Sequence, residues 1–409
     1  MQVLHRRCAG IDVHKAFVVV CARIVVRTKA TSEEARFETT PRDLLALAGW
    51  LAARKIEHIV MESTGVYWQP VWHILEGCAL QPILANAQDV RNVPGRKSDS
   101  SDARWLSDLM AHGLVRASFV PPQPIRELRD LTRTRQQIQR QITQQHNRIA
   151  KVLETANIKL ASQISDLLGA SGRRILEALV GGETDPARLA ALADRRIKAS
   201  REQLADALQG RFTRHHAFLV RAHLDTIAHL EHQIAAFERE VDALLAPFQD
   251  LIKAMTAIPG VKRRSATGIL AEIGTDMSIF PTVGHVMSWA RMVPRLDESG
   301  GKTYSRRIKK GGSWLKPLLV QCAWAAARTR NTYLSKQFAA IASRRGAKKA
   351  AVAVGPSILT AIYFMIKRNE PYNPPAPSQM TAAAKAGKAR HLASQIKALG
   401  FDITLAKAA

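Results

Sequence analysis

Four cysteines, at positions 8, 21, 78 and 322, are spread through 409 residues and form no CxxC. That spacing argues against both a disulfide framework and a zinc site. No apolar run approaches the roughly 20 residues that a membrane span needs. The N-terminus, with His5, Arg6 and Arg7 ahead of a strand-like run, lacks the apolar segment and small-residue cleavage site of a secretory signal. These absences lead to the expectation of a soluble protein in a reducing cytoplasm, with no membrane partner. Acidic residues are missing from one long stretch: after Glu298 none occurs until Glu370.

What is present is positive charge. The formal net charge is +26 with a pI of about 10.5, which points to a nucleic-acid partner on electrostatic grounds. Its distribution is uneven: net +3 over residues 1–120, +4 over 121–254 and +19 over 255–409. The C-terminal part is thus read as the polyanion-binding part. A hydrophobic content of 46% allows large cores and excludes wholesale disorder. The length calls for two or three domains.

Two β-rich runs, Ala9–Val13 and Phe17–Val26, open the chain, and Arg36–Thr39 reads as a third strand after a turn at Thr31–Glu34. Pro41–Lys55 is helical, with Leu44, Leu45, Leu47 and Leu51 on one side. His58–Glu62 is a short apolar strand. A helix over Tyr67–Glu76, a strand over Leu80–Ala85 and a helix over Ser98–His112 follow. This order predicts a mixed sheet with helices on it. Pro121, Pro122 and Pro124 mark a linker. Two long helices come next, Ile125 to about Thr155 and Phe212–Leu245, each with a narrow apolar stripe suited to a coiled-coil or hairpin arm. At Ile258-Pro-Gly-Val261 a helix breaks and another begins. Helix, Pro-Gly turn, helix resembles a helix-hairpin-helix, with Lys262, Arg263 and Arg264 placed to contact phosphate. Pro294–Ser313 reads as a loop carrying Ser299 ahead of a Gly-Gly pair, then Lys302, Arg306, Arg307, Lys309 and Lys310. Beyond it the chain is Ala-rich, helical and basic, with the seven tryptophans at core-like helical positions. The expected domains are 1–122, 123–250 and 251–370, followed by a basic tail over 371–409.

Four acids of the first domain fall where metal chemistry wants them. Asp12 and Glu62 end strands, and Asp99 and Asp102 are three apart at a helix start, on one helical face. Carboxylates converging in this way suit magnesium, which takes oxygen ligands and polarises phosphate. Three of them also have a plainer reading: Asp12 as a turn residue, Ser98 or Asp99 as an N-cap, Asp102 as a first-turn acid favoured by the helix dipole. Glu62 has no routine structural job. His14, two residues after Asp12, is read as a packing or solvent residue rather than a proton carrier.

The segments Gly10-Ile-Asp-Val-His-Lys15, Met61-Glu-Ser-Thr-Gly65, Lys97-Ser-Asp-Ser-Ser-Asp-Ala103, Ile258-Pro-Gly-Val261 and Ser299-Gly-Gly-Lys302 together resemble the DEDD transposases of bacterial insertion-sequence family one-ten, related to the Piv/MooV invertases. The resemblance spans about residues 8–370. It implies an α/β RuvC/RNase H-like N-terminal domain, a coiled-coil arm and an all-α C-terminal domain supplying a serine nucleophile. It implies Mg2+ held by Asp12, Glu62, Asp99 and Asp102. It also implies a structured guide RNA, double-stranded DNA as substrate, and a homodimer or homotetramer in which the tetrad of one subunit works with the serine of another. On that reading Ser299 attacks the scissile phosphate and becomes phosphoserine-linked to DNA, with Tyr304 as the rival nucleophile. Two other classes stay open: a RuvC/RNase H-like metal-dependent nuclease with water as nucleophile, and a non-catalytic architectural protein.

Overall fold

The structure, a computed structural model, describes residues 2–27, 29–62, 65–78, 80, 82–86, 90, 101–294, 297–299, 302–305, 307–308, 311, 314–374, 390, 393–394, 396–398 and 400–402. The chain divides into two compact units, Met1–Pro121 and Pro122–Ala409.

The first unit is built on a five-stranded mixed sheet of order β3-β2-β1-β4-β5. Its strands are β1 (Arg7–Val13), β2 (Phe17–Val26), β3 (Lys29–Glu38), β4 (His58–Glu62) and β5 (Pro82–Ala85). β1, β2 and β3 pair antiparallel, while β4 pairs parallel with β1 and β5 with β4. Both faces of β1 are covered, so its residues are apolar without alternation. One face carries Ala9, Ile11, Ile59 and Met61, packed with the buried side of α1 (Pro41–Ala53) and α2 (Trp68–Gly77). Helix α1 starts where Thr40 Oγ1 accepts the Asp43 amide at 3.2 Å, with Pro41 at its first position. The opposite face carries Cys8, Val60 and Ala85 against Leu106, Leu109 and Met110 of α3 (Asp102–Ala111).

β3 corrects the sequence expectation. It is a ten-residue strand, and the proposed turn at Thr31–Glu34 lies inside it. Its charges hid it: an edge strand needs no apolar stripe, because the partner backbone rather than a core holds it. Two of its acids are answered from helices, Glu33 by Arg54 and Glu34 by Arg104.

The second unit is helical apart from a small hairpin among its described residues. α4 (Gln123–Thr155) and α9 (Arg214–Leu244) form an antiparallel pair, with Arg135 near Glu238 at 4.0 Å and the Arg211 amide on the Ala156 carbonyl at 2.8 Å. The stripe residues Ile138, Ile142 and Ile149 meet Leu224, Ile227 and Leu230 in one core. Four short helices between them, α5 (Leu160–Gln163), α6 (Ala170–Val180), α7 (Pro186–Ala191) and α8 (Arg201–Ala207), extend that core.

α10 (Gln249–Met255) and α11 (Arg263–Ile273) flank the Pro-Gly turn. Gly260 has φ +85, and a Cβ there would lie 2.2 Å from the Cys322 carbonyl oxygen. The glycine therefore serves a close approach to α13 (Leu315–Arg328), so its position is explained by packing within the unit. The remaining helices are α12 (Val283–Trp289), α14 (Tyr333–Arg345) and α15 (Ala347–Arg368). By length and composition α15 is apolar enough to cross a membrane, contrary to the sequence reading. Half of its apolar window is buried inside the unit, and Tyr363 in it is buried and donates to the Phe280 carbonyl at 2.8 Å. It packs as a core helix. Two tryptophans depart from the core reading: Trp324 is exposed, and Trp314 precedes α13 with the guanidiniums of Arg133 and Arg140 over its ring.

Candidate active site

The strand register brings two of the expected acids together. The paired register of β1 and β4 ends with Ile11 opposite Met61, and Asp12 and Glu62 are the next residues on the two parallel strands. Both side chains belong to the α3 face, because Gly10 and Val60, two residues earlier, lie on it.

Helix α3 crosses that face in the opposite direction to β1. Cys8 Sγ donates to the Ser107 carbonyl at 3.3 Å, and a Cβ on Gly10 would fall 2.2 Å from the Ala103 carbonyl oxygen. Two residues up the strand thus correspond to one turn down the helix. The same step taken once more toward Asp12 leads to position 99, so the helix begins, with exposed Asp102 as its first residue, short of the level of Asp12. Gly10 is required by this approach, since any side chain would push the helix off the sheet. Asp99 lies outside the described residues.

Asp12 is half-buried, and its Oδ2 lies 3.1 Å from His14 Nε2. The imidazole leans on Phe17, ring centres 4.6 Å apart. The sequence reading had dismissed His14; the β1–β2 turn, closed by the His14 amide on the Phe17 carbonyl at 3.0 Å, returns it to Asp12. A second unforeseen residue is Glu34. Its Oε1 accepts from Ser101 Oγ at 3.1 Å and Arg104 Nε at 2.8 Å. Ser101 also caps α3 by accepting the Arg104 amide at 3.1 Å. The edge strand therefore holds the helix end that carries Asp102, and the hydrogen bond that Arg104 donates to Glu34 raises the pKa of its guanidinium above the ordinary value. No sequence spacing signals either contact, though a motif search widened to charged edge-strand residues would include Glu34. Behind the carboxylates burial pushes the Cys8 thiol up to about 12, so it is inert as a nucleophile.

Among the described residues no group of three His, Cys, Asp or Glu side chains is gathered to hold a metal. The donors at the strand ends still fit magnesium, which keeps several waters and is commonly held by one or two carboxylates.

The expected basic residues are distributed differently. Lys262 is exposed at the start of α11. Arg263 pairs with Asp242 at 2.7 Å and bonds Gln249 at 2.9 Å, and Arg264 pairs with Glu238. The opening of the basic loop is a hairpin: β6 (Asp297–Ser299) pairs antiparallel with β7 (Lys302–Ser305), so Ser299 ends its strand opposite Lys302, which is exposed. Arg307 is exposed as well. Tyr304 lies in β7, while Arg306, Lys309 and Lys310 lie outside the described residues.

Residues 9–158 match a family model for a transposase of the DEDD, IS110 type, and residues 252–339 match one described as Transposase IS116/IS110/IS902 family. Together the two cover more than half of the chain. The chain belongs to the IS110-family transposases. It is an enzyme acting on DNA in transposition or recombination. A curated relative, the insertion element IS110 uncharacterized 43.6 kDa protein of Streptomyces coelicolor (strain ATCC BAA-471 / A3(2) / M145), is 28% identical over 289 residues, 64% of this chain and 70% of the relative. Among solved structures, the Thermus thermophilus RuvC structure overlays with a TM-score of 0.20 and 14% identity, covering 29% of this chain and 85% of that one. T. thermophilus RuvC in complex with Holliday junction substrate gives 0.19 and 14%, covering 29% and 84%. Scores this low carry no argument about mechanism. The family assignment rests on the two sequence segments, and the first of them contains every carboxylate of the site.

Proposed function

We propose that this transposase cuts DNA by metal-dependent phosphoryl transfer at the strand-end carboxylates, with water as the attacking group. The observation that carries it is the β1–β4 register, which makes Asp12 and Glu62 the next residues of adjacent parallel strands on the face that α3 covers. Asp12 and Glu62, with Asp102 and Asp99, would hold Mg2+. The ion when bound supplies positive charge against the phosphoryl oxygens as charge builds there. His14 fixes the orientation of the Asp12 carboxylate from the side away from β4. The attacking water forms a bond to phosphorus and yields a proton to a carboxylate of the cluster. The bond from phosphorus to one sugar oxygen breaks, and that oxygen leaves as a hydroxyl after taking up a proton.

A second reading gives the attack to Ser299. It is favoured by that residue's place at the end of β6, beside Lys302 and ahead of Gly300-Gly301, within the second family segment. The seryl oxygen would then replace water, and the DNA end would remain bonded to the protein. A guide RNA and a homo-oligomeric assembly complete this second reading; the net charge of +19 over 255–409 supports a polyanion partner there.

The test is denaturing electrophoresis of the full chain with magnesium and a plasmid bearing its own coding segment and flanking DNA. Free ends, cutting retained in Ser299→Ala and cutting lost in Asp12→Asn support water. A protein–DNA adduct lost in Ser299→Ala and kept in Tyr304→Phe supports the serine. Cutting undiminished in both Asp12→Asn and Glu62→Gln sinks the carboxylate site itself.

A further inference from the structure

The row of residues that contains the two carboxylates does not end with them. Asp12 pairs with Val19 of β2, and Val19 pairs with Arg36 of β3, so Asp12, Val19 and Arg36 form one line across the α3 face of the sheet, with Glu62 following Met61 on the adjoining β4. Arg36 stands two strands from Asp12, a backbone separation of roughly 10 Å. We propose that Arg36, with Lys15 in the adjoining turn, grips a phosphate of the DNA strand whose scissile phosphate lies at the carboxylates. This rests on the carboxylate site being where DNA is cut.

Three features single out Arg36. It is held in place without being neutralised: its guanidinium carbon sits 3.7 Å above the Phe17 ring, and Phe17 in turn contacts His14, which contacts Asp12. Arginine stacked on an aromatic face keeps its donors directed outward, and its planar fork suits phosphate. It is also accessible, with 60% of its side chain exposed, and its one ion contact among the described residues is with Glu38 at 3.9 Å, itself 55% exposed. A surface contact that long is weak. By contrast, the neighbouring acids Glu33 and Glu34 hold Arg54 and Arg104 closely, so the strand does not lack means to neutralise cations. Finally, Lys15 is exposed in the turn that follows Asp12, and that turn is strapped to the end of β3 by Thr39 Oγ1 on the Lys15 carbonyl at 2.9 Å. The charged and titratable groups at this corner include Asp12, His14, Lys15, Glu34, Arg36, Glu38 and Arg104. Glu34 is occupied by Arg104.

The distance fits a phosphate close to the one being cut. At about 3.4 Å of rise per nucleotide along one strand, roughly 10 Å corresponds to no more than about three nucleotides. Net +3 over residues 1–120 is too little for a broad polyanion surface, so grip in this unit has to come from a few placed cations.

The experiment measures kcat and KM for magnesium-dependent cutting by the full chain, using the same plasmid over a series of potassium chloride concentrations. Arg36→Ala should raise KM about fivefold with kcat changed much less, and flatten the slope of log(kcat/KM) against log[salt] by about 0.9, the signature of one lost phosphate contact. Arg36→Lys should restore most of the slope. Glu38→Gln is the sign test. If Arg36 serves only its pairing with Glu38, the two single variants behave alike; if it grips phosphate, Glu38→Gln lowers KM. An unchanged salt slope in Arg36→Ala, or a Glu38→Gln variant that mimics it, overturns the proposal. Asp12→Asn keeps the two ideas apart: it abolishes cutting if the carboxylate site is right, and leaves the salt dependence of plasmid binding at its native value whatever Arg36 does.

Discussion

The two units treat a carboxylate that leaves the surface in opposite ways. In the second unit Glu272 on α11 is buried and gripped at both oxygens by Arg133, Nε to Oε1 at 2.7 Å and Nη2 to Oε2 at 2.8 Å. Arg129 closes the same knot through the Ala271 and Glu272 carbonyls at 3.0 and 2.8 Å. In the first unit Asp12 is half-buried, and its recorded ion partner is an imidazole rather than a guanidinium. Glu272 is thereby committed to joining α4 to α11. A bidentate guanidinium commits a carboxylate to packing, and Asp12, at the end of β1, carries no such clamp among the described residues.

That contrast is broken most severely at its structural end. Glu272→Gln leaves Arg133 and Arg129 without their counter-charge, and burial already pulls the Arg129 guanidinium down to about 10. Removing one partner of a buried pair costs about 3–5 kcal/mol, and the lower figure applies because Arg133 is one-third exposed. At roughly 2–4 °C per kcal/mol for a unit of this size, calorimetry should show the second unit melting about 6–12 °C lower. Magnesium-dependent cutting at low temperature should be preserved. A melting curve equal to the native one would mean that the guanidinium clamp is not what holds α4 on α11.

A smaller but more local effect is expected at Gly10. Its missing side chain is what lets α3 lie on β1, with the Ser107 amide nitrogen 2.5 Å from where a Cβ would be. Gly10→Ala must shift backbone, because the atoms in the way are a carbonyl and an amide rather than a flexible side-chain end. Overpacking of this kind costs about 1–3 kcal/mol. The loss of cutting should exceed what instability explains, since the shift separates Asp102 from Asp12 and Glu62. If the variant melts early yet cuts at the native rate once folded, the helix start does not belong to the site.

Much of the arrangement was legible before any coordinates, and the reasons differ by element. The apolar strands Arg7–Val13, Phe17–Val26 and His58–Glu62 and the two long helices announced themselves because burial on one or both faces writes a periodic pattern into sequence. Of β3 only the far end, read as Arg36–Thr39, was legible, because a charged edge strand is held by backbone bonds that leave no such pattern. The hairpin at Ser299 was read as loop for a similar reason: its residues are polar and its bonds are main-chain. Asp12 and Glu62 were legible as strand-end acids, yet that they are neighbours follows only from β1 and β4 pairing in parallel across about 50 residues of chain. Arg263 and Arg264 looked like free phosphate ligands in sequence. Asp242 and Glu238 come from a helix more than 20 residues away, and only the packed unit shows that they answer those charges.

The mildest prediction tests how far the first unit depends on its edge strand. Glu34→Gln keeps the shape of the side chain and one acceptor oxygen, but removes the charge that holds Arg104. The pair is partly exposed, so stability should hardly change, as for surface ion pairs generally. Activity is more sensitive than stability here. Ser101 and Arg104 flank Asp102 on the first turn of α3, and small misplacements of a reacting group reduce rate out of proportion to their energy. A fall of roughly threefold to tenfold in cutting is expected, together with a higher magnesium requirement, because a loosened Asp102 binds the ion less well. Raising magnesium should recover most of the lost rate in Glu34→Gln and none of it in Asp12→Asn. If magnesium rescues neither, Glu34 merely decorates the edge, and α3 is positioned by its packing on Gly10 alone.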